Sequence, residues 1–305
     1  MPMATAPKKI SVVVATCHRP QVLVRTLEAL SPARQQMPAE VYEVIVADDS
    51  RNDATRVAVE QRFPDARYVA GPRRGPASNR NRGAALASGD WLAFLDDDCQ
   101  PVEGWLRALC VQAEAGGVDV VEGRIVVPDK HDSPFRRYVE NLSGGNFWSG
   151  NLAIRRETFM RLGAFDEDFL EAGGEDMEFG DRIRRGGVRT TFSTAATVVH
   201  PSHVVTWRYL FWRTFLMKWY LLYLLKTGQG LPAEASRLRA IAHLVVTRTL
   251  ALVRTTWRSC TLRNDGMRRT MFFDLAWQWI MFPAVLPYLM YWELEFRRRL
   301  RSREE

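Results

Sequence analysis

The chain has 305 residues, 47% hydrophobic and 25% charged, which is enough to bury a full core in one or two domains. These proportions exclude a mainly disordered or collagen-like chain. Four cysteines (Cys17, Cys99, Cys110, Cys260) lack CxxC or zinc-ligand spacing, so a reducing compartment is expected and a disulfide scaffold is not. Residues 1–10 hold no apolar run of secretory-signal length. The formal net charge of +7 is unevenly spread. Residues 201–305 carry 17 Lys and Arg against 7 Asp and Glu, a net +10, and seven of the ten tryptophans. The rest carries 25 basic and 28 acidic residues, a net −3. A basic tail of this kind suits nucleic acid, an anionic membrane surface or a partner protein.

The first 200 residues read as alternating strands and helices. Residues 10–15 are a β-branched run, as in a strand buried on both faces. Leu23, Leu27 and Leu30 then follow at helical spacing. Residues 41–47 form a second strand ending in Asp48-Asp49-Ser50, and residues 68–70 a third. Residues 77–88 read as a helix, 91–95 as a fourth strand ending in Asp96-Asp97-Asp98, and 105–115 as a helix. This order predicts an α/β fold with a mainly parallel sheet. Ligands of such sheets bind beyond the carboxyl ends of the strands, so both acidic clusters are expected to face one crevice. Further on, 124–127 and 147–154 read as strands, 156–162 and 175–185 as helices, and 188–200 as a β-rich run. Residues 130–145 are polar and Gly-containing, and with Trp148 they are expected to form a mobile lid over the site.

In the tail, 207–225 mixes aromatics and leucines with Arg208, Arg213 and Lys218. Residues 238–257 are helical and amphipathic, and 271–292 are the most apolar. Asp274, Gln278, Pro283 and Pro287 interrupt that last stretch, and no window is clean enough for a membrane span. Trp, Leu and Arg together fit helices lying in a membrane interface. The competing reading is a helical subdomain, or a homodimer through these helices, with Trp and Leu as its core.

Several residues carry chemistry. Three adjacent carboxylates at a strand end repel one another and call for a hard divalent cation, or else cap the next helix. Asp48-Asp49 suits a nucleobase or ribose, or an N-cap. Arg80 and Arg82 suit phosphate, or a solvated helix face. Glu175-Asp176 opens a helix after two glycines and suits a general base, or simple capping. His200 suits a metal through its neutral imidazole, or a structural role.

Taken together and in order, these segments resemble the inverting family 2 glycosyltransferases of the GT-A fold. The resemblance is carried by SVVVATCHRP (11–20), VIVADDS (44–50), GPASNRNRGAALASGDWLAFLDDD (75–98), GNLAIRRETFMRLGAFDE (150–167), GGEDMEFGDRIRRGG (173–187) and VVHP (198–201). It implies a GT-A catalytic domain over 1–204, with a Rossmann-like nucleotide-sugar half to about 100 and an acceptor half from 101. An α-helical, membrane-associated region follows over 205–305. It implies that Ala15 and Thr16 line the base and ribose pocket, that Asp49 meets the nucleobase, and that Arg80 neutralises the diphosphate or braces the acidic triplet. Asp96 would contact ribose or sugar and share the metal, and Asp98 and His200 would ligate it. Gly150 and Asn151 would sit beside the donor sugar, with Trp148 as its platform. Asp176 would be the catalytic base and Glu175 would bind hydroxyls.

The implied reaction moves a sugar from a UDP- or dTDP-linked donor to a lipid-linked or cell-envelope glycan, with Mg2+ or Mn2+ as cofactor. Polysaccharide biosynthesis at the inner face of the cell membrane, in a cytoplasmic peripheral protein, is the expected setting. The alternative is a nucleotide-sugar binding or nucleotidyl-transfer protein on a similar sheet. A nucleic-acid partner is not expected, because the body with the cleft is acidic. Asp48-Asp49-Ser50-Arg51 departs from the family's Asp-Asp-Gly-Ser, and Cys17 and His18 replace its usual aromatic and Asn.

Overall fold

The computed structural model describes residues 10–128, 136–229, 235–261 and 265–302. In chain order the elements are β1 (Ile10–Thr16), α1 (Pro20–Ala29), α2 (Pro32–Gln35), β2 (Tyr42–Asp48), α3 (Ala54–Arg62), β3 (Ala66–Ala70) and α4 (Pro76–Ala85). Then come β4 (Trp91–Asp96), β5 (Gln100–Pro101), α5 (Trp105–Glu114), β6 (Val120–Val126), β7 (Arg136–Arg137) and β8 (Asn151–Arg155). The rest are α6 (Arg156–Arg161), α7 (Glu175–Arg185), β9 (Thr190–Val199), β10 (His203–Val204), α8 (Trp207–Phe215), α9 (Met217–Lys226), α10 (Arg237–Thr261) and α11 (Asp265–Arg301). They divide into two compact units: residues 1–128 with 139–201, and 129–138 with 202–305.

The first unit is built on an eight-stranded sheet of order β3-β2-β1-β4-β8-β6-β9-β5. Strands β1 to β4 are mutually parallel, β8 is antiparallel to both β4 and β6, and β6 runs parallel to β9. The β-branched run of β1 is buried on both faces, as its sequence requires. Val12 and Val14 join a core layer with Leu23, Leu27, Val59 and Trp105, while Val13 joins another with Ala77, Phe94, Phe159 and Phe179. Helices α1, α3 and α5 therefore cover one face, and α4, α6 and α7 the other.

Phe94, Phe159, Phe165 and Phe179 form a tight aromatic cluster with centroid separations of 4.7–5.6 Å. Each buried ring is worth about 2 kcal/mol. Phe94 lies two residues before Asp96 and Phe179 three after Asp176, so this packing sets the distance between the two acidic sites.

The second unit pairs β7 with β10 and packs its helices around Leu221, Leu244, Met281, Val285 and Leu289. Trp219 and Phe296 are buried with them, and Glu293 and Arg297 form a buried ion pair of 2.8 Å. Helix α11 runs through Pro283 and Pro287, so the prolines that break the apolar pattern do not end the helix. No helix of the described residues is long and apolar enough to cross a membrane.

Some local expectations change. Residues 147–150 are a turn, not the start of a strand: Phe147 has φ +54°, and β8 begins at Asn151. Helix α3 has no strong apolar period and buries only Thr55 and Val59, which is why the sequence hid it. The expected lid also changes. Residues 129–135 lie outside the described residues, while 139–148 are held rather than free. The buried Glu122 carboxylate accepts the N–H groups of Gly145 (2.6 Å), Asn146 (3.0 Å) and Phe147 (2.7 Å) and the Asn141 amide (3.1 Å). Asn141 also bridges to Ile125 through both backbone groups.

Candidate active site

Register alone gathers the first group of residues. Ala15 pairs with Ala47 on one side and Asp96 on the other, and Thr16 pairs with Asp48. The carboxyl ends of β1, β2 and β4 therefore coincide. Asp48 accepts from the Ser50 N–H (2.9 Å) and hydroxyl (2.5 Å) and from the Tyr68 hydroxyl (3.2 Å), which makes it structural. Asp49 accepts from the N–H of Arg73 (2.9 Å) and Gly75 (3.2 Å), so it shapes the loop after β3. Burial pushes the Asp49 carboxyl above its ordinary range, and those two N–H groups pull it partly back.

The acidic triplet divides at the end of β4, with Asp96 the last strand residue and Asp97 and Asp98 in the turn that follows. Asp97 points into the protein, is fully buried, and accepts from the Thr16 hydroxyl at 2.6 Å. Its carboxyl is pushed up to about 7 by burial, against the pull of Arg19 and Thr16. The Thr16 hydroxyl is thereby committed to Asp97. Arg19 pairs with Asp97 and, at 2.9 Å, with Asp98 Oδ2. Asp96 accepts from Arg80 at 2.8 Å.

Asp98, Asp96, Cys99 and His200 place one ligand atom each within 4.8 Å of one another. His200 Nδ1 lies 2.8 Å from the Pro201 carbonyl, so that nitrogen carries the proton and donates it. The other ring nitrogen, Nε2, faces Asp98 Oδ1 at 3.6 Å. Two carboxylates and an imidazole oriented through its Nδ1 fit a hard divalent cation. Cys99 suits it poorly: burial, then Asp96, raise its thiol well above the ordinary value, so it stays protonated. Gly150 lies close beside this group: a Cβ there would be 3.0 Å from Asp96 Oδ2, so that carboxylate would have to shift by a few tenths of an ångström.

The second group sits at the N-terminus of α7. Gly173 and Gly174 have φ of +128° and +132°, which side-chain-bearing residues rarely adopt, and they turn the chain into the helix. Glu175 is buried and accepts from the Gly173 N–H (2.8 Å) and from Arg80 (3.3 Å). Arg80 therefore joins Asp96 to Glu175 and also lies over the Phe165 ring at 5.7 Å. Burial acts to lower its pKa, but Asp96, Asp176 and Glu175 outweigh this and raise it, so the guanidinium stays charged.

Asp176 follows Glu175. Its carboxyl is pushed up to about 7, by burial first and then by the charge of Glu175. Its Oδ1 is buried and has no hydrogen-bond partner among the described residues. A carboxylate that titrates near neutrality and keeps an open acceptor can take a proton from a bound hydroxyl.

A family model described as glycosyl transferase family 2 matches residues 11–169. The chain belongs to glycosyl transferase family 2. Among its relatives, validoxylamine A glucosyltransferase of Streptomyces hygroscopicus is 32% identical over 247 residues, covering 67% of this chain and 58% of that protein. The chain thus spans little more than half of that relative's length. Glycosyltransferase AglE of Haloferax volcanii is 26% identical over 208 residues, covering 63% of this chain and 67% of the relative. Among solved structures, the mannosyltransferase PcManGT of Pyrobaculum calidifontis, in complex with GDP-Man and Mn2+, superposes with a TM-score of 0.60. That match covers 96% of this chain and 91% of that one at 20% identity, a likeness of fold.

Within this family 2 chain, the expected site residues fall into distinct places. Ala15, Asp49, Arg80, Asp96, Asp98, Gly150, Glu175, Asp176 and His200 form the two linked groups. Trp148 is half-buried against the core, and its carbonyl accepts from the Asn151 N–H. The Asn151 amide is buried elsewhere: it bonds the Trp105 indole (2.9 Å) and the carbonyls of Arg124 (3.0 Å) and Ala196 (2.9 Å), tying β8 to β6, β9 and α5. The sequence reading missed Arg19 and Glu122. Arg19 had a signal, as a lone cation in the loop after β1. Glu122 had none, since its partners are mostly backbone N–H groups.

Proposed function

We propose that this chain is an inverting, metal-dependent glycosyltransferase that moves a sugar from a UDP- or dTDP-linked donor to a hydroxyl of a lipid-linked or cell-envelope glycan. The observation that carries this reading is Asp176, a carboxyl pushed to about 7 with an unpartnered oxygen, joined through Glu175 and Arg80 to the donor-side Asp96. Asp176 takes the acceptor's hydroxyl proton as that oxygen bonds to the anomeric carbon. The bond from that carbon to the diphosphate oxygen breaks on the opposite face, and the nucleoside diphosphate leaves with the electron pair. Glu175 and the α7 N-terminus hold acceptor or sugar hydroxyls, and Trp148 and Gly150 flank the donor sugar. Arg80 offsets charge growing on the leaving group. A divalent cation held by Asp96, Asp98 and His200 would supply further charge stabilisation to the diphosphate.

The second unit holds the enzyme at an anionic membrane surface on the cytoplasmic side, a setting that suits envelope polysaccharide synthesis. The net charge of +10 over residues 201–305 supports this reading. A thermal-shift screen of nucleotide sugars with Mn2+ finds the donor. Incubation with acceptor should then release nucleoside diphosphate with inversion at the anomeric carbon. Release of pyrophosphate instead would assign nucleotidyl transfer.

A further inference from the structure

Helix α10 has 25 residues, with five arginines and no Asp or Glu. One side serves its own unit: Ala240 and Leu244 are buried, and Leu244 packs with Leu221, Met281, Val285 and Leu289. The other side is apolar and faces solvent. Leu238 is 83% exposed, Val246 55%, Leu250 47%, Val253 50% and Trp257 73%. The steps from Val246 to Leu250, Val253 and Trp257 are four, three and four residues, which aligns them in one stripe along three turns. Leu238 lies about two turns towards the N-terminus but about 80° round the helix from Val246, to one side of the stripe, while Arg239 lies in line with it. Arg239 and Arg254 are exposed on the same helix.

A stripe of hydrocarbon in water, bordered by cations and free of acids, describes what would cover it. A second copy of the same face would bring arginine against arginine, because an isologous contact is self-complementary only where charges alternate. A nucleic acid would leave the leucine and valine row without a partner. An anionic bilayer offers hydrocarbon below a layer of negative headgroups, and indole and guanidinium groups sit well at that boundary. No helix of the described residues is long and apolar enough to cross a membrane, so the contact lies on the surface.

We propose that the solvent-facing stripe of α10, from Val246 to Trp257, is the surface that docks the chain on an anionic lipid bilayer, with the helix lying flat in the headgroup layer. This rests on the membrane reading of residues 205–305 given above and is independent of the transferase chemistry.

The test is flotation of the full chain with vesicles of phosphatidylcholine alone or mixed with phosphatidylglycerol. The unsubstituted chain is expected to float with the mixed vesicles and to stay at the bottom with phosphatidylcholine. Leu250→Asp and Trp257→Glu should each reduce flotation about tenfold or more, since each sets a carboxylate in the stripe. Val111→Asp, at an exposed apolar position on α5, should float like the parent. Binding should weaken in 1 M salt, where the screening length falls to about 3 Å.

The proposal is overturned if the parent stays at the bottom with mixed vesicles, or if both α10 variants float unchanged. It is equally overturned if those variants lose a dimer, by light scattering, and keep their flotation. The thermal shift with UDP and Mn2+, measured without vesicles, certifies the fold of each variant. A parent chain that floats but shows no such shift would count against the transferase reading alone.

Discussion

The two units depart from the usual partition of side chains in opposite directions. The first buries ionisable groups: Asp97, Asp98, Glu122, Glu175, Arg80 and His200 are all buried, and the Asp97 and Asp176 carboxyls are pushed up to about 7. The second exposes hydrocarbon along α10, and Phe211, Trp212, Trp279 and Tyr291 outside that helix are exposed too, while Trp219 and Phe296 are buried. Each departure is unfavourable to an isolated fold. Buried ions must recover their desolvation through partners, and exposed apolar rows promote association. The contrast teaches that chemistry is to be sought where polarity is hidden, and attachment where apolarity is displayed. Neutralising a buried charge should alter turnover and leave vesicle binding alone, and charging the stripe should do the reverse.

The largest effect is expected at Asp176. Asp176→Asn removes the open acceptor and should lower turnover about 1,000-fold, within the range for a lost general base, while nucleotide binding persists. A steady-state assay beside calorimetry with UDP checks both halves, and a near-normal rate would break the assignment. The sign of its pKa shift adds a second readout. Folding raises this pKa from near 3.8 to about 7, so ionisation opposes the fold, fully above pH 7 and not at all below about 4. The Asn variant should therefore melt higher than the parent at pH 8, with a gain that shrinks as the pH is lowered towards 4.

Next in size is the cation group. Asp98→Ala should weaken Mn2+ binding by more than the roughly 100-fold typical of a lost outer-shell partner, measured by titration calorimetry. Unchanged affinity would show that the cluster serves packing alone. Smaller again is the pH response of the parent. Turnover should rise about tenfold between pH 6 and pH 8 and then level off, as a base with a pKa of about 7 loses its proton. A flat profile would separate Asp176 from the rate-limiting step.

The smallest effect is expected at Glu122, which touches no reactant. Glu122→Gln sets an amide donor against backbone N–H groups and should lower stability by about 2 kcal/mol. Turnover should fall only a few-fold, because the Asn146–Phe147 turn leads into Ser149 and Gly150 and also packs on α7. Gly180 of α7 approaches Phe147 so closely that a Cβ would lie 3.3 Å from its ring, and Arg184 bonds the Gly145 carbonyl at 2.8 Å. Denaturant melts and a kcat-against-KM comparison check this.

Much of the site was legible because parallel strands deliver their last residues to one edge. Apolar strands that end in acids at 48–49 and 96–98 could hardly converge anywhere else. Glu175-Asp176 was legible through the two glycines before it. What stayed hidden depends on contacts that spacing does not encode. Asp97 and Asp98 are adjacent and chemically identical, and only the turn after β4 sends one inward to Thr16 and the other towards His200. Asn151 sits beside Gly150 at the edge of the cation group, yet its amide is consumed by an indole and two carbonyls. The 139–148 segment reads as loose from its glycines and polar residues, while one carboxylate from a distant strand secures it. The amphipathic character of 238–257 was visible, but only the packing of Ala240 and Leu244 decides which side remains uncovered.

The Glu122 contact has a chemical consequence of its own. Three successive N–H groups converging on one carboxylate are a cup of the kind that elsewhere holds phosphate or other free anions, here filled by the protein's own side chain. Emptying it by Glu122→Ala should leave a small anion receptor inside the fold. Formate, similar in charge and shape to the missing group, should then restore part of the lost melting temperature and turnover, and chloride at equal ionic strength should restore less. A side chain that participates in no bond-making would thus become replaceable by a solute.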